Sequence, residues 1–366
     1  MAIPVANPRA QYLALRDEIS AAVQQVLDSC HFILGENVTA VEEEIPKLCD
    51  ARFGVAVNSG TDAIVIALAA CGIGPGDEVI TTPFTFVATT EAILIVGAKP
   101  VYVDIDPETF NLDASLVEGR ITDRTRAILP VHLYGQCADV EHIVSIAERH
   151  GLKVVSDGAQ AIGAKHHGKG IGAYPDASTL SFYPTKNLGA CGDGGMLLTN
   201  DENVASMARS LRAHGMVGGY SYEHVGYCSR MDEVQAAVLR VKMSRVNEWN
   251  EGRRANAAFY LEALKDLPIK LPVPKPENWH VYHQFTIRTQ RRDELKSALA
   301  EAGVGSAVYY PGPLHLEKAY AGLGYRAGDF PEAEKAAREV LSLPIFPELT
   351  AEEREQVAAA VRSFEF

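Results

Sequence analysis

Short apolar segments and helical segments alternate regularly between residues 53 and 157 of this 366-residue chain. The predicted strands cover residues 53–57, 78–82, 100–104, 126–133 and 153–157, and the helices between them cover 63–71, 84–96, 113–120 and 140–150. Strands joined through helices form right-handed βαβ units, which assemble into a mostly parallel sheet. Because such sheets bind ligands where their strands end, the pattern predicts an α/β fold with a site at the carboxyl edge of the sheet.

The pattern changes towards the C-terminus, and the length of the chain suits two domains. We place the boundary within a helix predicted over 231–249, so that residues 1–240 form an N-terminal segment and a large domain. Residues 241–366 then form a small α+β domain, and its predicted elements are strand 280–287, helix 292–302, strand 306–310, helix 330–342 and a helix opened by Thr350. Glu353 follows Thr350 by three residues, which is a capping-box pattern. Further helices are predicted over 11–27, 36–49 and 202–214.

Lys186 stands in an unusual local sequence. A β-prone run over 179–182 leads to it, and glycines follow at 189, 192, 194 and 195. With so few side chains nearby, we expect its ammonium to be unshielded and available as a nucleophile. Most lysines are simply exposed to solvent, so a solvated loop lysine is the alternative when this stretch is taken alone.

The segment Asn58 to Asp62 joins a predicted strand to a predicted helix. The first backbone N–H groups of a helix have no partner inside it, and together with the helix dipole they favour an anion. Ser59, Gly60 and Thr61 therefore form a candidate phosphate site. The alternative is an ordinary strand-to-helix connection capped by a serine or threonine.

Asp157 ends an apolar strand, and Gln160 follows three residues later. A lysine forms an imine with an aldehyde, and pyridoxal phosphate then serves as an electron sink if a carboxylate keeps its ring nitrogen protonated. We predict this cofactor, with Lys186 as its lysine, Asp157 beside the ring nitrogen, Gln160 near the ring hydroxyl, and Thr61 and Ser181 at the phosphate. Phe86 offers a flat surface for the ring, although spacing alone equally allows a core aromatic residue.

Several other sites are excluded by composition and spacing. The net charge of −13 argues against nucleic acid. The six cysteines form no CxxC pair, which predicts reduced thiols, no metal site and a cytoplasmic protein. We find no basic, apolar leader and no apolar run near the roughly 18 residues of a membrane span, so we expect no membrane contact.

The stretch 163–170 nearly spells a phosphate-binding loop, but Gly170 stands where a serine or threonine is required. We therefore predict a hairpin turn here. Its adjacent histidines, His166 and His167, would point to opposite faces of a strand. For that reason we expect them to lie on the surface and not to chelate a metal together.

Five sequence blocks together resemble the DegT/DnrJ/EryC1/StrS family of nucleotide-sugar aminotransferases. They are NSGTDA at 58–63, the Asp157 and Gln160 pair, SFYPTKNLGACGDGG from 181, SRMDEVQAAVL from 229 and AVYYPGPLH from 307. The resemblance implies an aspartate aminotransferase-like fold, known as pyridoxal-phosphate fold type I, with a seven-stranded, mostly parallel sheet. It also implies a homodimer with shared active sites.

The same resemblance implies roles for individual residues. Lys186 forms the Schiff base, Asp157 pairs with the pyridine nitrogen, and the remaining cofactor contacts come from Gly60, Thr61, Phe86, Gln160 and Ser181. The substrate contacts are Arg230, Tyr309, Tyr310 and His315. Many members have an asparagine at the position of Cys228 that reaches the phosphate of the partner subunit, and several have His-Tyr-Pro where this chain has Tyr309, Tyr310 and Pro311.

By this resemblance the protein transfers an amino group from glutamate to a keto group, at C3 or C4, of a UDP- or dTDP-linked sugar. The product is an amino sugar for a surface polysaccharide or a glycosylated metabolite. Two alternatives remain: a sugar dehydratase, whose branch of the family has histidine in place of Lys186, and a non-catalytic protein of the same fold. The latter would not need Lys186, Asp157 and Gln160 together.

Overall fold

A computed structural model describes residues 2–366. The helices are α1 (Pro8–Ala14), α2 (Arg16–Ser29), α3 (Glu36–Leu48), α4 (Gly60–Ala70), α5 (Val87–Ile95), α6 (Val140–His150), α7 (Glu202–Leu211), α8 (Glu233–Met243), α9 (Val246–Ala263), α10 (Arg292–Glu301), α11 (Pro331–Glu339) and α12 (Ala351–Arg362). The strands are β1 (Phe53–Val57), β2 (Glu78–Thr81), β3 (Lys99–Tyr102), β4 (Thr125–Ile128), β5 (Lys153–Asp157), β6 (Lys165–His166), β7 (Lys169–Gly170), β8 (Ala177–Ser181), β9 (Gly195–Thr199), β10 (Met216–Gly218), β11 (Ser221–Tyr222), β12 (Asn278–Trp279), β13 (Phe285–Arg288) and β14 (Val340–Leu343). Within the described residues, every helix is too short or too polar to cross a lipid bilayer.

The main sheet has seven strands in the order β1-β9-β8-β5-β4-β2-β3. Six of them run in one direction, and β9 runs against its neighbours β1 and β8. The predicted seven-stranded, mostly parallel fold is therefore confirmed. The local sequence pattern predicts six of these strands but not β9, because the five-residue run of β9 follows a glycine-rich loop and has no helix before it.

Side chains alternate along these strands between two apolar layers. Val55, Val57, Val155 and Leu197 pack against α4 and other helices on one face. On the other face, Ala56, Leu180, Met196 and Leu198 pack against α3 and α8. Burying both faces explains why the strands read as continuous apolar runs, and it leaves the strand ends as the accessible edge.

The small domain has its own apolar core, which includes Tyr260, Phe285, Leu341 and Val357. Its two-stranded sheet pairs β13 with β14 in antiparallel register. The N-terminus contributes too, because Ile3 packs into this core and pairs with Val304. The capping box at Thr350 is present as predicted.

Several predicted element bounds in the C-terminal part were wrong. The strand expected over 306–310 is a single bridge between Ala307 and Ser342. The helix expected over 330–342 ends at Glu339, and the next four residues form β14. A β-strand this short is specified by its partner β13 and not by local propensity.

The helix expected over 231–249 is two helices, since α8 ends at Met243 and α9 begins at Val246. We propose that the small domain begins with α9, close to the expected boundary at 241. Similarly, the helix expected over 113–120 is a pair of 3₁₀ turns, Ala114–Leu116 and Glu118–Arg120.

The stretch 163–170 forms the hairpin of β6 and β7, as predicted. Of its two histidines, His167 is exposed as predicted, but the expectation was wrong for His166. His166 is buried, and the His167 ring lies 4.6 Å from the His166 ring, measured between centroids. His167 has a φ of +45°, and this left-handed conformation breaks the strand alternation that would have separated the two rings.

Candidate active site

A cavity of about 640 Å³ opens where the parallel strands end, and residues of the C-terminal part, including Tyr309, Leu343 and Phe346, line it as well. This volume is in the range of small-molecule sites. Nine of the predicted site residues line it: Gly60, Thr61, Phe86, Asp157, Gln160, Ser181, Lys186, Tyr309 and Tyr310. Residues far apart in the sequence therefore meet at the edge of the sheet that the alternation of strands and helices had indicated.

One end of the cavity is formed by the turn from β1 into α4. The Ser59 hydroxyl caps the helix by accepting a hydrogen bond from the backbone N–H of Asp62 at 3.1 Å. A Cβ atom at Gly60 would lie only 2.6 Å from the Ser181 Cβ, so glycine lets this turn rest directly on the end of β8. The start of α4 with Gly60 and Thr61 therefore lines the cavity beside Ser181, and a helix N-terminus of this kind suits a phosphate.

Asp157 lies at the floor of the cavity and is only 5% exposed. Its Oδ2 accepts a hydrogen bond from the Thr89 hydroxyl at 2.8 Å, and its Oδ1 accepts one from the Ala159 N–H at 3.1 Å. A buried carboxylate requires such partners. Thr89 was not identified from the sequence, because nothing in the α5 pattern distinguishes it from other threonines.

Gln160 is held by two contacts. Its Oε1 accepts a hydrogen bond from the Tyr134 N–H at 2.6 Å, and its Nε2 donates to the Tyr310 hydroxyl at 3.1 Å. Phe86 is 54% exposed and its ring centroid lies 6.1 Å from that of Tyr310. The alternative of a core aromatic at position 86 is therefore wrong, and the ring is available to a ligand.

Lys186 is partly buried in the cavity wall, contrary to the expectation of an unshielded loop lysine. Burial lowers its pKa to about 8, although the negative charge of Asp157 acts in the opposite direction. The amine is therefore substantially neutral in mildly alkaline solution, which is the nucleophilic form.

The glycines after Lys186 serve close packing and do not open the site to solvent. A Cβ atom at Gly189 would lie 2.6 Å from the Pro184 carbonyl oxygen, and one at Gly195 would overlap the Ser59 carbonyl. Helix α8 holds this loop through Lys242, which donates to the Gly189 carbonyl. The loop is thus folded tightly against the rest of the large domain.

Asn187 anchors the lysine from the next position. Its Nδ2 donates to Asn250 Oδ1 at 2.8 Å and to the Val281 carbonyl at 3.1 Å, while its Oδ1 lies 3.1 Å from His283 Nδ1. Burial, together with the cations Lys186 and Arg253, holds the pKa of His283 well below its usual range. His283 is therefore a neutral neighbour of Lys186.

His283 and Arg253 also line the cavity and were missed by the sequence analysis. Burial lowers the pKa of Arg253 to about 10, with Glu348 acting in the opposite direction. Arg253 lies on α9, where RRAN reads as an ordinary polar helix face. Nothing in the local sequence of α9 indicates that this arginine is buried.

Two predicted substrate contacts lie outside the cavity lining. His315 is buried, with Nε2 3.1 Å from Glu334 Oε1 and its ring against Phe330. His315 was expected to contact substrate, but it is not among the residues that line the cavity. Arg230 donates to Cys228 Sγ at 3.0 Å on the surface, so within one subunit it does not reach the cavity.

The groups around the cavity fit pyridoxal phosphate. An anion site lies at one end, a buried carboxylate with two donors lies at the floor, and a partly neutral lysine lies in the wall. The donors at Gly60, Thr61 and Ser181 match a phosphate, and Asp157 matches a cationic ring nitrogen.

Comparison with known proteins agrees with this site. The profile of the DegT/DnrJ/EryC1/StrS aminotransferase family matches residues 14–362. The chain is 50% identical over 367 residues to the pleiotropic regulatory protein of Geobacillus stearothermophilus, covering 100% of this chain and 99% of that protein. It is 46% identical over 362 residues to the UDP-N-acetyl-3-dehydro-alpha-D-glucosamine 3-aminotransferase of Acidithiobacillus ferrooxidans, covering 99% of this chain and 97% of that protein.

A solved structure is also similar. The crystal structure of DesV from S. venezuelae in complex with a ketimine intermediate superposes with a TM-score of 0.97 at 47% identity, covering 99% of this chain and 98% of that chain. The chain therefore belongs to the DegT/DnrJ/EryC1/StrS family, and it is an aminotransferase with pyridoxal phosphate as its cofactor.

Proposed function

We propose that this protein transfers an amino group from glutamate to a keto group at C3 of a sugar linked to UDP or dTDP. The observation that carries the proposal is the placement of Lys186, with its lowered pKa, in one cavity with the buried Asp157 and the start of α4. The 3-aminotransferase named above supports C3 over C4. The product would be an amino sugar for a surface polysaccharide or a glycosylated metabolite.

The cofactor, when bound, supplies an electron sink for exchange of nitrogen between donor and acceptor. Asp157 would hold the proton on the ring nitrogen, and Thr89 keeps that carboxylate oriented through its hydroxyl. The N-terminus of α4 with Gly60, Thr61 and Ser181 would hold the phosphate. Gln160 would bind the ring hydroxyl, and Phe86 would pack against the ring.

Lys186 acts in turn as the attachment point and as the general base. With the cofactor bound and the lysine freed from it, the amine would take a proton from the donor's α-carbon. In the second half-reaction the same amine would deliver a proton to the sugar carbon that receives the nitrogen, so that Lys186 returns to its starting protonation state after the two half-reactions. A pKa near 8 suits both directions, because a group that exchanges protons works best near the ambient pH.

The sugar nucleotide would lie against the outer wall formed by Tyr309 and Tyr310. Because Arg230 lies outside the cavity of its own subunit, we assign it to the cavity of the partner in a homodimer. There it would bind the anionic part of the substrate through its planar donors.

Exposed apolar side chains support the homodimer. In the segment around β10 and β11, Tyr220 is 92% exposed and Val225 is 98% exposed. Phe32, Ile33 and Leu34 are also exposed, and Ile33 pairs with Asp232 near Arg230. A second copy covering these residues would bury them and bring Arg230 to its partner. Sedimentation velocity tests this arrangement, and a monomer at micromolar concentration would contradict it.

Six free cysteines fit a reducing compartment, and we propose the cytoplasm.

The decisive experiment incubates the holoenzyme with glutamate and a panel of 3-keto and 4-keto nucleotide sugars. Product mass and NMR then identify the aminated carbon. We expect the unaltered enzyme to turn over a 3-keto sugar and the Lys186→Arg variant to show no turnover. Arginine keeps the positive charge, but it stays protonated near pH 8 and so cannot act as a nucleophile or a base. The exposed Lys296→Arg is the matched control and should retain full activity.

Each alternative predicts a different result. Exclusive amination of 4-keto sugars would move the reaction to C4. Loss of a sugar hydroxyl without amination would indicate a dehydratase, and a cofactor absorbance that glutamate leaves unchanged would indicate a non-catalytic protein. Sustained turnover by Lys186→Arg would refute the assigned role of Lys186.

A further inference from the structure

Three potential metal ligands meet at the hairpin of β6 and β7. They are Glu141 in the first turn of α6, His166 at the end of β6, and His167 in the turn that follows. One ligand atom from each residue lies within 4.8 Å of the other two. These side chains do not line the cavity described above, so the cluster is separate from the aminotransferase site.

The tautomer of His166 is set by its surroundings. Asn278 donates through Nδ2 to the Cys137 carbonyl at 3.0 Å, which orients the amide so that its Oδ1 faces His166. His166 Nδ1 lies 2.8 Å from that oxygen and must carry the proton, because an amide oxygen only accepts. The lone pair of Nε2 is therefore available, and histidines that bind metals through Nε2 have this same second contact.

The side chains of the other two ligands, Glu141 and His167, are exposed and can rotate to complete a site. Glu141 accepts a hydrogen bond from the Tyr174 hydroxyl at Oε1, which leaves Oε2 only 3.8 Å from His167 Nε2. Both side chains are about half exposed, whereas His166 is 3% exposed and serves as the fixed point. Ligand atoms bound to one zinc ion lie about 3.3 Å apart, given bonds of about 2.0–2.1 Å, so small rotations of the exposed side chains are sufficient.

We propose that Glu141, His166 and His167 form a binding site for a divalent transition-metal ion, with zinc(II) as the preferred occupant. Two imidazoles and one carboxylate form the ligand set of many zinc sites, and they leave a coordination position for water. Magnesium and calcium are disfavoured because they prefer oxygen ligands. A bound ion would tie α6 to the hairpin and, through Asn278, to β12.

The test uses metal-stripped holoenzyme titrated with zinc(II) against a fluorescent zinc indicator. We expect the unaltered protein to bind one zinc ion per chain. The zinc affinity of His167→Ala and of Glu141→Gln should be at least about 10-fold lower than that of the unaltered protein. Asn278→Ala should lower the affinity by about 10-fold or more, because partners of ligating histidines contribute this much. His167→Ala is the primary variant since the exposed His167 side chain is not needed for packing.

The matched control is His142→Ala, one residue from Glu141 on α6, whose ring lies near Asp139 and outside the cluster. It should bind zinc like the unaltered protein, and all variants should keep their aminotransferase activity. The proposal is overturned if the unaltered protein binds no zinc at micromolar concentration. It is equally overturned if His167→Ala binds as tightly as His142→Ala, which would place any bound ion elsewhere, for example on the exposed cysteines.

Discussion

The Thr89 hydroxyl donates a hydrogen bond to Oδ2 of Asp157 across 2.8 Å at the buried floor of the cavity. Thr89 is fully buried on α5, and Asp157 ends β5, so the contact joins a helix and a strand 68 residues apart. It fixes the orientation of this carboxylate, which lines the cavity.

Thr89→Val removes the donor while preserving the shape of the side chain. A hydrogen bond to a charged group contributes roughly 1.5–3 kcal/mol, and about 1.4 kcal/mol corresponds to a tenfold change in affinity. We expect the dissociation constant of the cofactor to rise about 10-fold, measured by titrating apoenzyme with pyridoxal phosphate. The control is Thr90→Val, whose hydroxyl contacts Tyr102 and not Asp157; equal losses in both variants would contradict the role of Thr89.

The rate of cofactor uptake by the apoenzyme should depend on pH through Lys186. Its pKa is lowered to about 8 by burial, so the neutral, reactive amine is scarce below this pH and dominant above it. Stopped-flow absorbance should show the uptake rate rising with pH, with a midpoint near 8. A midpoint close to the value of about 10.4 for free lysine would show that burial does not affect the amine.

Asp157→Asn extends the same measurement. The negative charge of Asp157 raises the pKa of Lys186 and partly offsets the effect of burial. Removing that charge should therefore move the midpoint of cofactor uptake to lower pH. An unchanged midpoint in this variant would mean that Asp157 and Lys186 do not interact, and a shift to higher pH would contradict the assigned sign of the interaction.

Gly60→Ala should damage the phosphate end of the cavity. The added Cβ would lie 2.6 Å from the Ser181 Cβ, and such overpacking costs roughly 1–3 kcal/mol. We expect a lower melting temperature and a smaller stabilisation by added cofactor, both measured by thermal unfolding. Gly119→Ala is the control because its new Cβ would meet no atom within 4 Å. An equal reduction of cofactor stabilisation in Gly119→Ala would show that the close contact between Gly60 and Ser181 is not the cause.

Asn187→Ala should affect both stability and catalysis. It removes the Asn187 partner of the Val281 carbonyl, Asn250 Oδ1 and His283 Nδ1, and an unsatisfied buried polar group costs about 1–3 kcal/mol. Urea unfolding should show this loss. Because Lys186 would lose its neighbouring anchor, kcat should fall at least about 10-fold with little change in KM.

Asn203→Ala, an exposed position on α7, is the matched control for both measurements. An Asn187→Ala variant with unchanged kcat would show that Lys186 is held by other contacts.

Much of this protein followed from the sequence. The alternation of strands and helices predicted the α/β fold because both periodicities are local properties of the chain. The site residues from Gly60 to Lys186 were identified because each lies at the carboxyl end of a strand or within five residues of it, and strand ends meet at one edge of a parallel sheet.

Only the tertiary structure decided how these residues are surrounded. Strand β9 forms because it pairs with β1 on one side and with β8 on the other. Lys186 is partly buried because the contacts of Asn187 and α8 hold its loop against the rest of the protein. Thr89, His283 and Arg253 enter the site from distant segments, and a left-handed residue turns His167 towards His166. Pairing, burial and electrostatic shifts depend on contacts between residues far apart in the chain, whereas sequence patterns report only on near neighbours.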